Sequence, residues 1–241
     1  MPQALILVGG QGTRLGALTA SLPKPMLDIG GRPFIEHLIE EIARHGVENI
    51  ILLCGYLADR IADAFDGRTL RGAHIRCVTE PAPMGTGGAL RQAADRLDDR
   101  FLLLNGDSFF DLNLLDLDRL ADETAGLGIV ALRAVLDTGR YGRVSLAGER
   151  ISAFAEKQGS GPGVINGGVY LLRRAVLDYI QTLPCSLETD ILPRLAAEHR
   201  LSGRVYPGYF IDIGIPEDLQ RAQAELPQRR RRPCFSTATA S

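Results

Sequence analysis

A strand-like run at residues 4–8 (ALILV) breaks into Gly9-Gly10-Gln11-Gly12-Thr13-Arg14-Leu15, and Pro23-Lys24-Pro25 follows. Glycines let backbone N–H groups come close to an anion, because no Cβ stands in the way. Arg14 offers a planar fork of donors and Lys24 a compact positive charge, so the two can neutralise phosphate. The ordinary alternative is a tight turn beside a solvated arginine. Two better-known glycine motifs are excluded. No Lys-Ser or Lys-Thr follows the glycines, as a P-loop requires, and Leu15 stands where the dinucleotide fingerprint needs a third glycine or small residue.

Two acids carry the next signal. Asn105-Gly106-Asp107-Ser108 follows an apolar run at residues 101–104. A carboxylate at the carboxyl end of a strand lies where open α/β sheets bind ligands, and Asp107 there suits Mg²⁺, a hard cation content with few protein carboxylates. Asn-Gly-Asp is equally a common turn sequence, in which the acid only caps. Asp212 sits between Ile211 and Ile213 in residues 210–217 (FIDIGIPE). A buried carboxylate needs a cation or several donors. Pro216 opens the following helix, and Asp212 is too far upstream to be its N-cap. Asp212 therefore reads as the second carboxylate of the Asp107 metal site.

Other candidates lie between. Residues 80–88 (EPAPMGTGG) end a strand, turn through prolines and enter a helix. Glu80 can accept hydrogen bonds from a base edge, and glycines 85–88 let a base lie flat on backbone. Tyr141-Gly142, Glu156-Lys157, Asn166-Gly167-Gly168 and Glu188 supply donors and acceptors for sugar hydroxyls, with Lys157 as a cation for a substrate phosphate. Singly, each is more ordinary as a surface or turn residue. The four histidines have no metal-ligand spacing, and no Ser-His-Asp or Cys-His arrangement stands out.

These residues need a scaffold, and the apolar pattern describes one. Strands are expected at residues 49–54, 74–80, 101–104 and 129–135, with helices at 33–45, 57–65 and 87–97 between them. Such alternation predicts right-handed crossovers and a mostly parallel sheet. Beyond it, residues 142–146 and 150–155 read as a hairpin, and 165–172 as a strand running into a helix at 174–180. Residues 187–198 read as a helix, 201–213 as one or two strands, and 216–226 as a helix begun by Pro216. The fold class expected is α/β: a Rossmann-like mixed, mostly parallel sheet flanked by helices, with a small antiparallel portion, over residues 1–226. Residues 227–241, with four consecutive arginines, read as a disordered tail.

Composition bounds the function. The 241 residues are 45% apolar and 23% charged with a net charge of −2, enough for a sizeable core and no basic field for nucleic acid or an anionic membrane. No apolar run reaches membrane-spanning length. Four dispersed cysteines exclude a disulfide framework and fit a reducing cytoplasm.

The chain resembles the sugar-1-phosphate nucleotidyltransferases. The matching pieces, in family order, are GGQGTRL…PKP, EPAPMGTGGAL, LNGDS, Glu156-Lys157, INGGVY and FIDIGIPEDLQRAQ. Its last motif and SLETDIL (residues 186–192) look most like the D-glycero-α-D-manno-heptose 1-phosphate guanylyltransferases. Mannose-1-phosphate guanylyltransferases and short uridylyl-, cytidylyl- and thymidylyltransferases share most of these motifs. The resemblance implies GTP and a sugar 1-phosphate as ligands, Mg²⁺ as cofactor and pyrophosphate as product, with neither nucleic acid nor membrane as partner and a homodimer compatible with it. It implies Arg14, Lys24 and Asp107 as catalytic, and Asp107 with Asp212 as metal ligands. Nucleotide contacts fall on Leu7, Gly9, Gly10, Gly12, Thr13, Glu80, Gly85, Thr86, Gly87 and Asn105, and sugar contacts on Gly142, Glu156, Lys157, Asn166, Gly167 and Glu188. A carboxylate at Glu80 suits guanine, whose N1–H and N2–H₂ are both donors. Two rivals are a non-catalytic sensor of sugar nucleotides and a glycosyltransferase. A sensor would be expected to lack Arg14, Lys24 or one of the acids. A glycosyltransferase would use an Asp-x-Asp such as Asp116-Leu117-Asp118, which lies in a helical stretch away from a strand end.

Overall fold

The computed structural model describes residues 1–155 and 161–229. Continuous apolar runs make the central strands. β1 (Gln3–Leu7), β2 (Asn49–Cys54) and β5 (Arg100–Asn105) are covered on both faces, as parallel sheets require. Period-two alternation sends their side chains to two separate cores. Ala4, Ile6, Leu52, Leu102 and Leu104 face one, while Leu5, Ile51, Leu53 and Leu103 face the other. Helices α1 (Phe34–Ala43), α2 (Ala58–Phe65), α4 (Leu114–Glu123) and α6 (Pro216–Arg229) cover the first core through Leu38, Ile61, Leu117 and Leu219. α3 (Gly85–Gln92) and α5 (Leu192–Ala197) cover the second through Leu90, Leu192 and Leu195.

The remaining strands are β3 (Thr69–Leu70), β4 (Ala73–Thr79), β6 (Ser108–Phe110), β7 (Gly128–Val135), β8 (Arg143–Ala147), β9 (Arg150–Ala155), β10 (Gly163–Arg173), β11 (Leu201–Val205) and β12 (Phe210–Asp212). The main sheet runs β3-β4-β2-β1-β5-β10-β7-β11-β9-β8. It is mixed, as expected, but parallel pairing does not dominate it, which corrects the expectation that the antiparallel portion is small. β4, β2, β1 and β5 are mutually parallel, as are β7 and β11. β10 lies antiparallel to both β5 and β7. Between β7 and β10 the chain makes the β8–β9 hairpin, with no crossover helix among the described residues, and parallel pairing needs such a crossover.

Three expected helices also differ. Residues 87–97 split into α3 and a 3-10 turn at Ala94–Arg96, and residues 174–180 form only the 3-10 turn Arg174–Tyr179. Residues 187–198 begin as a π turn, Leu187–Ile191, before α5, because Pro193 has no N–H for the regular ladder. α6 runs to Arg229, beyond the expected end at residue 226. Pro227 seats over Gly30, and Arg229 donates to Asp111 at 2.8 Å while lying over the Tyr209 ring. Residues 230–241 lie outside the described residues. No helix among the described residues is long and apolar enough to cross a membrane.

Candidate active site

The carboxyl ends of β1, β2 and β5 open into a cleft of about 620 Å³. Leu7, Gly9 and Gly10 line it from β1, Gly55 and Tyr56 from the end of β2, and Asn105, Gly106 and Asp107 from the end of β5. Lys24 and Glu80 close its sides. The backbone here approaches closely. A Cβ on Gly55 would fall 2.3 Å from Glu80 Oε1, so glycine is required for Glu80 to lie against the cleft wall. The other carboxylate oxygen of Glu80 accepts from the Met84 N–H at 3.2 Å.

The loop after β1 is built on two left-handed glycines, Gly12 (φ 63°) and Gly16 (φ 56°). The Thr19 hydroxyl donates to the Gly12 carbonyl at 3.0 Å. Gly12 packs on Thr19 and the Lys24 stem, so it shapes the loop and seats Lys24; neither it nor the exposed Thr13 lines the cleft.

Lys24, buried to 6% exposure, is the centre of charge. Its Nζ lies 2.6 Å from Asp107 Oδ2 and 3.8 Å from Asp212 Oδ1. A small two-stranded ladder creates this meeting. β12 pairs antiparallel with β6, setting Asp212 opposite Ser108, and the Ile213 N–H donates to the Asp107 carbonyl at 2.9 Å. Burial raises the Asp212 carboxyl above its ordinary value, and the Asp107 charge raises it further; Lys24, the Gly214 N–H and Arg140 restrain the rise. Two oxygen donor groups already spanned by one cationic nitrogen fit a hard divalent cation completed by water and phosphate oxygens. No cluster of three or more metal-ligating side chains occurs among the described residues.

A second, smaller pocket of about 140 Å³ is lined by Arg14, Asn105, Arg140, Tyr141, Gly142, Asn166 and Asp212. Asn105 thus faces both cavities, and its Oδ1 is buried without a hydrogen-bond partner among the described residues. Asn166 accepts from the Gly168 N–H and donates to the Tyr170 hydroxyl, which fixes the bulge in β10. Burial drives that hydroxyl's pKa upward. Gly167 lines neither cavity. A Cβ there would strike the Phe110 ring at 2.6 Å, so its role is packing.

Glu188 lies in the larger cleft rather than beside Gly142 and Asn166. It accepts from the Thr86 hydroxyl at 2.6 Å, and that hydroxyl accepts from the Leu187 N–H. Gly85 and Thr86 line the cleft, whereas Gly87 is packed on Cys185 and bonds its carbonyl. Glu156 and Lys157 lie outside the described residues. Arg140 was not visible as a site residue. It is paired with the buried Asp218 of α6 and sits 5.3 Å from the Tyr141 ring centre. Its only sequence signal is adjacency to Tyr141-Gly142.

A family model described as nucleotidyl transferase matches residues 3–229. The chain belongs to the nucleotidyl transferase family. It is 35% identical to the D-glycero-alpha-D-manno-heptose 1-phosphate guanylyltransferase of Aneurinibacillus thermoaerophilus, over 93% of this chain and 98% of that one. It is 37% identical to a probable mannose-1-phosphate guanylyltransferase of rice over 90% of its own length, but it spans only 62% of that relative. Among solved structures, HddC of Yersinia pseudotuberculosis superposes with a TM-score of 0.82 at 33% identity, covering 93% of this chain and 99% of HddC. HddC has also been solved in complex with GMP-PN. A putative glucose-1-phosphate thymidylyltransferase of Bacillus anthracis shares the fold at 22% identity, with a TM-score of 0.84.

Proposed function

We propose that this protein transfers a guanylyl group from GTP to a sugar 1-phosphate, D-glycero-α-D-manno-heptose 1-phosphate being the preferred acceptor, and releases pyrophosphate. The observation that carries the reading is the Lys24 ammonium between Asp107 and Asp212, at the junction of a large cleft and a small one.

A sugar 1-phosphate is largely a dianion near neutral pH, its second pKa being about 6, so it needs no base to attack. Its phosphate oxygen bonds to the α-phosphorus of GTP while the bond to the β-phosphate breaks and pyrophosphate departs. The obstacle is repulsion between anions, and positioning with charge neutralisation removes it. Gly9 and Gly10 receive the nucleotide along the cleft floor. Glu80, fixed by the Met84 N–H, accepts from the donor edge of guanine. Lys24 draws the α-phosphate and the incoming phosphate together, and Arg14, which lines the smaller pocket beside Asp212, is assigned to the charge that develops where the two cavities meet. Asp107 and Asp212 would hold Mg²⁺, which when bound supplies further positive charge to the α-phosphate oxygens. Gly142, Asn166, Glu156 and Lys157 are assigned to the sugar phosphate.

Base choice draws support from Glu80 and from the two guanylyltransferase relatives. Heptose draws support from the relative matched over nearly its whole length. Mannose 1-phosphate is the second reading, favoured by the rice relative's identity. Pyrophosphate release, measured for four nucleoside triphosphates against heptose, mannose and glucose 1-phosphates with and without Mg²⁺, tests both. GTP with heptose 1-phosphate should be fastest and need the metal. Turnover with another base and none with GTP would overturn the assignment.

A further inference from the structure

The loop of residues 9–20 carries Gly10 and Gln11 into the larger cleft and Arg14 into the smaller. Both ends of this loop hang from one residue outside it. The Tyr56 N–H donates to the Gly9 carbonyl at 3.1 Å, and the Tyr56 hydroxyl donates to the Ala20 carbonyl at 3.0 Å. The near end is also secured by Val8, whose N–H donates to Leu53 in the neighbouring strand. At the far end, the other hydrogen bonds of Thr19 and Ala20 among the described residues stay within the loop, to Gly12, Gly16 and Ala17. They hold the loop's own shape without tying it to β2.

Tyr56 also lines the larger cleft, together with its chain neighbour Gly55 and with Glu80, which packs on Gly55. A nucleotide base lying on Gly55 and reaching Glu80 meets the Tyr56 ring. One side chain thus touches the place a base would occupy and holds the distant end of the loop that bears Arg14.

We propose that Tyr56 is a positioning residue that couples occupancy of the base site to placement of the Arg14 loop, its ring sensing the nucleotide and its hydroxyl clasping Ala20. This rests on the nucleotidyl-transfer reading for the location of the base. The two jobs are separable. Tyr56→Phe keeps the ring and loses the clasp, whereas Tyr56→Leu loses both.

The test combines steady-state kinetics with amide hydrogen exchange over peptides covering residues 10–20, with and without GTP, ATP, UTP or CTP. In Tyr56→Phe, exchange across the loop should speed up by about three- to tenfold, the equilibrium worth of one neutral hydrogen bond. The turnover number should fall by a similar factor while KM for the triphosphate stays within about twofold. Tyr56→Leu should raise that KM as well. Unchanged loop exchange and turnover in Tyr56→Phe would overturn the proposal. So would a higher KM at unaltered turnover, since that is the signature of a plain binding contact. A wild-type protein that makes no product from any triphosphate would refute the catalytic reading alone. Exchange would still decide this one, because a loop that no triphosphate protects is not coupled to the base site.

Discussion

Replacing Lys24 by methionine tests the electrostatic core of the site. The substitution keeps the length of the buried stem and removes the charge between Asp107 and Asp212. At 3.8 Å from Asp212, the ammonium contributes about 4 kcal/mol of gross attraction at an effective dielectric near 20. Its own desolvation offsets part of this, and the Asp107 partner, 38% exposed, is screened by water. Breaking a buried pair by removing one partner costs about 3–5 kcal/mol, and partial exposure puts this case at the lower end. A loss near 3 kcal/mol lowers the melting temperature by roughly 6–12 °C in a protein of this size. The pH dependence is the sharper prediction. Asp212 has a folded pKa above its unfolded one, through burial first and the Asp107 charge second. Between those two values the folded state binds more protons, so its stability falls as pH rises. Without Lys24 the folded pKa moves higher still, and the decline is steeper and longer. The gap between wild type and Lys24→Met should therefore be widest above the raised folded value of Asp212 and close as pH falls toward about 4, where carboxylates protonate even when unfolded. Urea unfolding in EDTA across that range measures it, and Lys24→Met/Asp212→Asn should recover most of the loss. A gap independent of pH, or no recovery in the double variant, would refute the reasoning.

Glu80→Gln should reduce the preference for GTP over ATP by about tenfold, the worth of one charge-assisted hydrogen bond, as read from kcat/KM for each triphosphate. An unaltered base profile would remove Glu80 as the base reader. Arg14→Ala should lower turnover on the order of 100-fold with a smaller change in KM, since the charge it meets develops during the reaction; a change in KM alone would reduce it to a binding residue. Arg140→Asp and Asp218→Arg should each raise KM for the sugar phosphate several-fold, and the charge-swapped pair should recover part of it. Their ion pair joins the Tyr141-Gly142 loop to α6. Equal defects in single and double variants would show that the pairing itself does not matter.

The parts of the site that sequence reveals are those where a residue type conflicts with its surroundings. Asp212 inside an apolar strand is costly unless a cation faces it, and Lys24 does. A glycine cluster closing the apolar run of β1 is likewise a local signal, and the loop lies at the cleft. What stayed hidden depends on partners distant in sequence. An arginine in a loop reads as solvated, and Arg140 becomes a site residue only through Asp218, 78 positions away. Glu188 reads as a sugar acceptor until Thr86, 102 positions away, places it in the larger cleft. Gly167 resembles a site glycine, but the reason for it is the Phe110 ring. A strand at residues 165–172 and a hairpin before it are legible in the sequence, but periodicity names no pairing partner, so the placement of β10 between β5 and β7 is not.

The division of the sheet matches a division of labour. The larger cleft rests on the ends of parallel strands, where backbone N–H groups and turns converge whatever side chains follow. The acid pair instead depends on a three-residue ladder whose register sets Asp212 opposite Ser108. A slip of one residue would turn Asp212 to the opposite face and remove it from Lys24. Packing forbids the slip. Phe110 meets Phe210 edge to face at 5.5 Å, Phe210 meets Tyr141 at 6.0 Å, and Ile211 and Ile213 are fully buried on either side of the acid. The same aromatic chain that fixes Asp212 therefore also seats Tyr141 in the smaller pocket. Asp212 and the smaller pocket are held as one mechanical unit, and the loop of residues 9–20 is held by another, through Tyr56. Chemistry at the junction then requires the two units to be in register at Asn105 and Asp107, where the larger cleft borders both the smaller pocket and the acid pair.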